Sequence, residues 1–267
     1  MCELCEKHTK GKTKWYFDPK NYSKEMGEKR KDFLEKVAGV FYEEWLIDGC
    51  GKLEKLSKTP FINTKIIDLG DKLEGRLHGG QVIPLGDAQK ILELCENPAL
   101  LQCPCRDFVG QEKYYCLNFG LIPELYEKAH KDAYIEEIST QKAKRFLKDL
   151  NKKGFYHTII WSKAPYATTV CNCTNLYCTN YKSRFVYGAK KTFVKGEYVA
   201  RVENGKCNGC KICLTRCQFG AILFDVEEEK AFINIRKCFG CGLCETHCKN
   251  GAIILIDRTQ TPSKNLW

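Results

Sequence analysis

No stretch of this chain approaches the roughly 18 consecutive apolar residues needed to cross a bilayer, so no transmembrane helix is expected. The start, Met1-Cys-Glu-Leu-Cys-Glu-Lys-His8, is charged rather than apolar and does not read as a secretory leader. Also missing are a glycine-rich dinucleotide fingerprint, a phosphate-cradling Walker loop and the C-x3-C-x2-C spacing of radical enzymes. No helix-turn-helix pattern and no evident acid–base set can be found either. These absences leave little support for nucleotide-dependent catalysis or for reading DNA. Histidine is sparse, with five residues, and His78, His130 and His157 are scattered as core or surface residues would be.

What the chain does have is cysteine, 18 residues in 267. Disulfide frameworks of that density belong to small secreted domains, whereas thiols gathered in metal-ligand spacing imply a reducing interior. The expectation is therefore a cytoplasmic protein. A hydrophobic content of 43% is ordinary for a globular chain, and the length leaves room for more than one domain.

Eight of the cysteines form two runs, Cys207-x2-Cys210-x2-Cys213-x3-Cys217 and Cys238-x2-Cys241-x2-Cys244-x3-Cys248. The second repeats the first 31 residues on (207 to 238), and the sequels also correspond, Gln-Phe-Gly-Ala-Ile against Lys-Asn-Gly-Ala-Ile. A C-x2-C-x2-C loop can wrap three thiolates around one face of an iron–sulfur cube, while a fourth cysteine three residues on suits a neighbouring cube. Over about residues 197–258 the chain resembles the bacterial-type two-[4Fe–4S] ferredoxins. The resemblance implies one cluster on Cys207, Cys210, Cys213 and Cys248, and another on Cys217, Cys238, Cys241 and Cys244. It also implies proline after each fourth cysteine, where this chain has Gln218 and Lys249. Strands are expected at Tyr198–Val202 and Ala252–Ile256, and Gly209, Gly240 and Gly242 would let backbone approach inorganic sulfide. The formal charge of +10 would fall to about +6 with two clusters, each contributing about −2 with its thiolates.

A second cysteine set lies upstream. Asp87 reads as the N-cap of a helix Ala88–Glu96, followed by a strand-like Ala99–Cys103, then Cys103-Pro-Cys105-Arg106 and Cys116. Helix Thr140–Lys152, with Gly154 as its C-cap, leads to strand Phe155–Trp161, then Cys171-Asn-Cys173 and Cys178. Residues two apart on a strand share a face, so each C-x-C presents two thiols together. Three readings compete for Cys103, Cys105, Cys116, Cys171, Cys173 and Cys178: one or two further iron–sulfur clusters, a zinc ion, or buried small hydrophobes. Arg106 would contact cluster sulfur or an anion, or lie on the surface, and His247 is expected to hydrogen-bond near the first cluster. Cys2-x2-Cys5-x2-His8 could hold a metal but lacks a fourth ligand nearby.

The fold class expected is α+β: a C-terminal ferredoxin-like domain (197–267), a cysteine-rich middle α/β domain (81–196) with a helix-strand-CxC repeat, and an N-terminal helical segment (1–80). Residues 21–48 read as a helix capped by Ser23, residues 65–69 as a short strand and 75–80 as a loop. The lysine-rich residues 7–36, interleaved with Trp15, Tyr16, Phe17 and Tyr22, read as a solvated amphipathic surface or the dock of a redox partner protein rather than a nucleic-acid site. The leading functional expectation is an iron–sulfur electron carrier or subunit feeding a redox enzyme. Its alternatives are an oxidoreductase with an open-site cluster in the middle domain, and a redox or metal sensor.

Overall fold

The computed structural model describes residues 2–38, 71, 75–96, 98–103, 105–106, 115–132 and 134–262. Its centre is a seven-stranded sheet of β1 (His78–Ile83), β2 (Ala99–Gln102), β3 (Tyr115–Asn118), β4 (Ile135–Glu137), β5 (Tyr156–Ser162), β6 (Ala167–Cys173) and β7 (Phe193–Val194). The spatial order is β4-β2-β3-β6-β5-β1-β7, and every neighbouring pair is antiparallel except β1 and β7. Strand β5 is buried from end to end, its polar His157, Thr158 and Ser162 included.

The helices beside this sheet include α1 (Glu3–Thr9), α2 (Lys24–Glu28), α3 (Lys31–Ala38), α4 (Leu85–Ile91), α5 (Ile122–Ala129), α6 (Thr140–Lys152) and α7 (Thr179–Phe185). Helix α6 is amphipathic, with Ala143, Leu147 and Leu150 buried at helical spacing, and Ser139 caps it by accepting from Lys142 N at 3.3 Å. Trp15, Tyr16 and Tyr22 pack with Ile83, Leu92 and Trp161 in one core, where Trp15 meets Trp161 edge to face at 5.8 Å. In another core Leu34 and Ala38 of α3 meet Leu101 and Leu125.

The C-terminal unit pairs β8 (Tyr198–Val202) with β11 (Ile253–Asp257), and β9 (Ile222–Asp225) with β10 (Lys230–Ile233). Two one-turn helices, α8 (Ile212–Arg216) and α9 (Leu243–Thr246), follow its two cysteine loops. The chain is thus α+β.

Several local expectations differ from the structure. The helix expected over 21–48 is broken near Lys29 into α2 and α3; Ser23 does cap α2, and residues 39–48 lie outside the described part. Gly27 sits against Tyr166, whose hydroxyl would lie 2.6 Å from any added Cβ. Helix α4 begins at Leu85, so Asp87 is no cap but a buried carboxylate in the first turn, accepting from Tyr16 Oη (2.8 Å) and Tyr198 Oη (2.9 Å). Trp15 and Tyr16 belong to the core and not to a solvated face. Gly79 and Gly80 lie in β1, paired with Trp161 and Ile160 of β5, and not in a loop; a Cβ at Gly79 would stand 2.5 Å from the Trp161 ring. The division expected at 80/81 falls inside β1, and residues 2–38 share their cores with the middle segment. The strand expected at 65–69 lies outside the described residues.

Candidate metal centres

Two small cavities of about 20 Å³ each lie in the C-terminal unit. Cys207, Cys210, Cys213 and Cys248 surround one, and Cys217, Cys238, Cys241 and Cys244 the other. The fourth cysteine of each run therefore faces the cavity of the other run. The two loops share a backbone: Gly209 and Gly240 adopt φ of 70° and 73°, and the next matched pair, Lys211 and Gly242, 61° and 76°. A Cβ at Gly209 would meet Glu229 O at 2.6 Å, and one at Gly240 would meet Tyr198 O at 2.3 Å. These glycines are thus required by neighbouring backbone, the β9–β10 turn for Gly209 and β8 for Gly240.

Sulfur-directed N–H groups repeat in the same way. Ala221 N donates to Cys217 Sγ at 3.2 Å, and Ala252 N to Cys248 Sγ at 3.3 Å; Ala200 N also points at Cys238 Sγ, 3.4 Å away. Such bonds favour thiolate. Burial opposes it, pushing Cys241 up to about 12, so four ionised sulfurs around this cavity call for compensating positive charge. Cys210 is exposed, whereas Cys238, Cys241 and Cys244 are buried.

Residues 206–252 match the family model of the 4Fe-4S dicluster domain. This part of the chain is a ferredoxin-type iron–sulfur domain, and its cavities suit the group: thiol sulfurs ring each one, with backbone donors aimed at three of those sulfurs. No curated relative matches the chain. In the dicluster domain, Gln218 takes the place of the expected proline and joins the domain to the sheet. Its Nε2 donates to Gly154 O (3.1 Å) and its Oε1 accepts from Asn175 N (3.1 Å). Lys249, the other departure, is exposed.

The six upstream cysteines come together because of strand order. β3 lies between β2 and β6 and runs antiparallel to both, so the end of β2, the start of β3 and the end of β6 share one sheet margin. Cys103 follows β2, Cys116 lies in β3, Cys171 and Cys173 end β6, and Cys178 caps α7 by accepting from Tyr181 N at 3.4 Å. With Cys105 they line one cavity of about 160 Å³. Among the described residues no three of the six bring their sulfurs within 4.8 Å of one another, although neighbouring pairs interact. A hydrogen bond to Cys178 pushes Cys173 up and pulls Cys178 down. Hydrogen bonding to Cys103 and burial raise Cys105.

Arg106 is buried, its guanidinium over the rings of Tyr177 (4.6 Å) and Phe155 (5.1 Å), which replaces the surface alternative. The ring nitrogens of His247 face Leu243 O (2.9 Å) and Lys152 O (3.1 Å). Cys2 and Cys5 are buried beside Glu197, while His8 stays outside that group.

Sequence reading missed two features. His78 lines the six-cysteine cavity, where burial pushes it down to about 3 and keeps it neutral. A polar chain also crosses from the dicluster domain to the C-x-C of β6: Thr246 Oγ1 to Asn151 Oδ1 (2.8 Å), Asn151 Nδ2 to His157 Nε2 (3.3 Å), His157 Nδ1 to Asn172 Oδ1 (2.7 Å). No spacing in the sequence marks either feature, since their members come from elements far apart in the chain.

Proposed function

We propose that the chain is an electron-transfer protein whose dicluster domain exchanges electrons with a further iron–sulfur centre on Cys103, Cys105, Cys116, Cys171, Cys173 and Cys178. In the dicluster domain Cys207, Cys210, Cys213 and Cys248 would hold one cluster, and Cys217, Cys238, Cys241 and Cys244 the other. When bound, such clusters supply one-electron chemistry, and the protein tunes it through hydrogen bonds to sulfur, charge and solvent exposure. The exposed Cys210 side makes the first cluster the entrance for electrons from a redox partner protein. The buried second cluster lies against the sheet. There Phe219 and Phe239 stack at 4.4 Å in a core shared by Cys217, Cys241, Tyr156, Cys173 and Cys178.

The observation that carries the reading is the convergence of six cysteines on one cavity. A tetrahedral zinc site, with Zn–S near 2.3 Å, holds its sulfurs about 3.8 Å apart. The absence of any such compact trio among the described six supports a larger cluster over a single zinc ion. The cavity also exceeds the two in the dicluster domain, about 160 against 20 Å³. That surplus is the specific support for a second reading, in which a small substrate shares the cavity with a cluster.

Iron content of the anaerobically purified chain tests the proposal. Two clusters give about eight irons and a third about twelve. Cys103→Ser with Cys171→Ser should remove only the surplus, while Cys217→Ser should perturb the cluster of the second run. Eight irons in the unaltered chain would overturn the further centre. Paramagnetic spectra of the reduced protein that respond to an added small molecule would favour the second reading.

A further inference from the structure

One compact ligand group stands apart from the 14 cysteines considered above (eight and six). Cys5 Sγ lies 3.4 Å from Cys2 Sγ and 3.2 Å from Glu197 Oε1, and Cys2 N donates to the same oxygen at 3.4 Å. Cys2, Cys5 and Glu197 are 4%, 0% and 1% exposed. Among the described residues they are the one set of three His, Cys, Asp or Glu side chains whose ligand atoms all lie within 4.8 Å of each other.

The separations fit a tetrahedral ion, whose ligand atoms stand about 3.3–3.8 Å apart for Zn–O near 2.0 Å and Zn–S near 2.3 Å. They do not fit a disulfide, whose sulfurs would be about 2.05 Å apart. A fourth donor is present. Gln81 Oε1 lies 3.9 Å from Cys2 Sγ, and Gln81 is itself fixed: Trp15 Nε1 donates to Oε1 at 2.6 Å, and Nε2 donates to Glu197 Oε1 and Lys195 O at 3.0 Å each. Collecting two thiolates and a carboxylate in one dry pocket is costly unless their charge is met. A divalent ion on two thiolates and one carboxylate leaves a net charge of −1, with Arg258 contributing positive potential nearby. Thiolates select zinc over magnesium or calcium.

We propose that Cys2, Cys5 and Glu197 bind one zinc ion, with Gln81 Oε1 completing its coordination. The ligands come from the cap and body of α1, from β1, and from the residue preceding β8. The ion would therefore fasten the N-terminal segment to the sheet and to the strand that leads into the dicluster domain. Having no redox chemistry of its own, it would brace the assembly without competing for electrons.

The test uses the full chain, purified anaerobically, with zinc and iron measured together and the zinc absorption edge recorded. The expected result is one zinc per chain with two sulfur and two oxygen ligands. Cys5→Ser and the isosteric Glu197→Gln should each lose that zinc while keeping iron content and cluster spectra. Should Cys5→Ser fail to fold, seen as lost iron, Glu197→Gln and chelation with zinc re-addition in the unaltered chain carry the test. Chelation should make Cys2 and Cys5 newly reactive to alkylation, and re-addition should protect them again. The proposal is overturned if the chain neither contains nor takes up zinc, if its zinc survives both substitutions, or if Cys2 and Cys5 are found as a disulfide.

Discussion

Gln218 shows how much one side chain can carry where a family pattern is broken. A proline there would have no amide to offer, whereas Gln218 spans from the dicluster domain to Gly154 and Asn175 with two hydrogen bonds. Each such bond contributes about 0.5–1.5 kcal/mol, so Gln218→Ala should lower stability by about 1–3 kcal/mol. A shifted urea midpoint with unchanged iron content is the expected result. Lys249, at the matching place in the second run, is exposed and makes no comparable link, so the same substitution there should be nearly silent. The asymmetry comes from what each loop faces: the sheet in one case and solvent in the other.

At the scale of elements, α6, β5, β6 and α9 are joined by the chain Thr246–Asn151–His157–Asn172. His157 donates from Nδ1 to Asn172 Oδ1 and accepts at Nε2 from Asn151 Nδ2, an arrangement that requires the neutral ring. Burial, partly offset by the Asn172 hydrogen bond, pushes it down to about 4 from an ordinary 6.5. As pH falls below about 6.5 the unfolded chain takes up this proton first, so stability present above that pH is lost on the way to about 4. Between pH 7 and pH 5 the unaltered chain should lose about 2 kcal/mol more than His157→Gln, measured by anaerobic denaturation. Equal losses would remove His157 from the account. The same strands explain the six-cysteine cavity. The expected helix-strand-CxC repeat is only approximate, since Cys103 follows the first strand after its helix whereas Cys171 and Cys173 end the second strand after theirs. Equivalence of the two C-x-C pairs arises from β2 and β6 flanking β3, not from matched order along the chain.

For the whole molecule, the aromatic core between the dicluster domain and the sheet is where the proposed electron route would cross from one to the other. Phe219 and Phe239 stack with their planes 9° apart, and Phe193 and Tyr156 adjoin them. Replacing both with leucine keeps the core apolar but opens space and separates the two sides. If the proposed six-cysteine centre is present, the Phe219→Leu, Phe239→Leu double variant should retain full iron content yet slow electron exchange between the dicluster domain and that centre several-fold, followed by rapid mixing with a reductant. Unchanged exchange would place the route elsewhere.

The sequence by itself determined the two cysteine loops, because C-x2-C-x2-C spacing is local and the 31-residue duplication (207 to 238) is visible without a fold. It also marked six more cysteines as worth explaining. Only the tertiary structure decided that those six share one cavity, that Trp15 and Tyr16 are core, and that Cys2 and Cys5 meet Glu197 rather than His8. The physical reason is reach. Cysteines within one loop are placed by a few backbone torsions, whereas Glu197 meets Cys5 across 192 residues through strand order and burial, which no local spacing encodes.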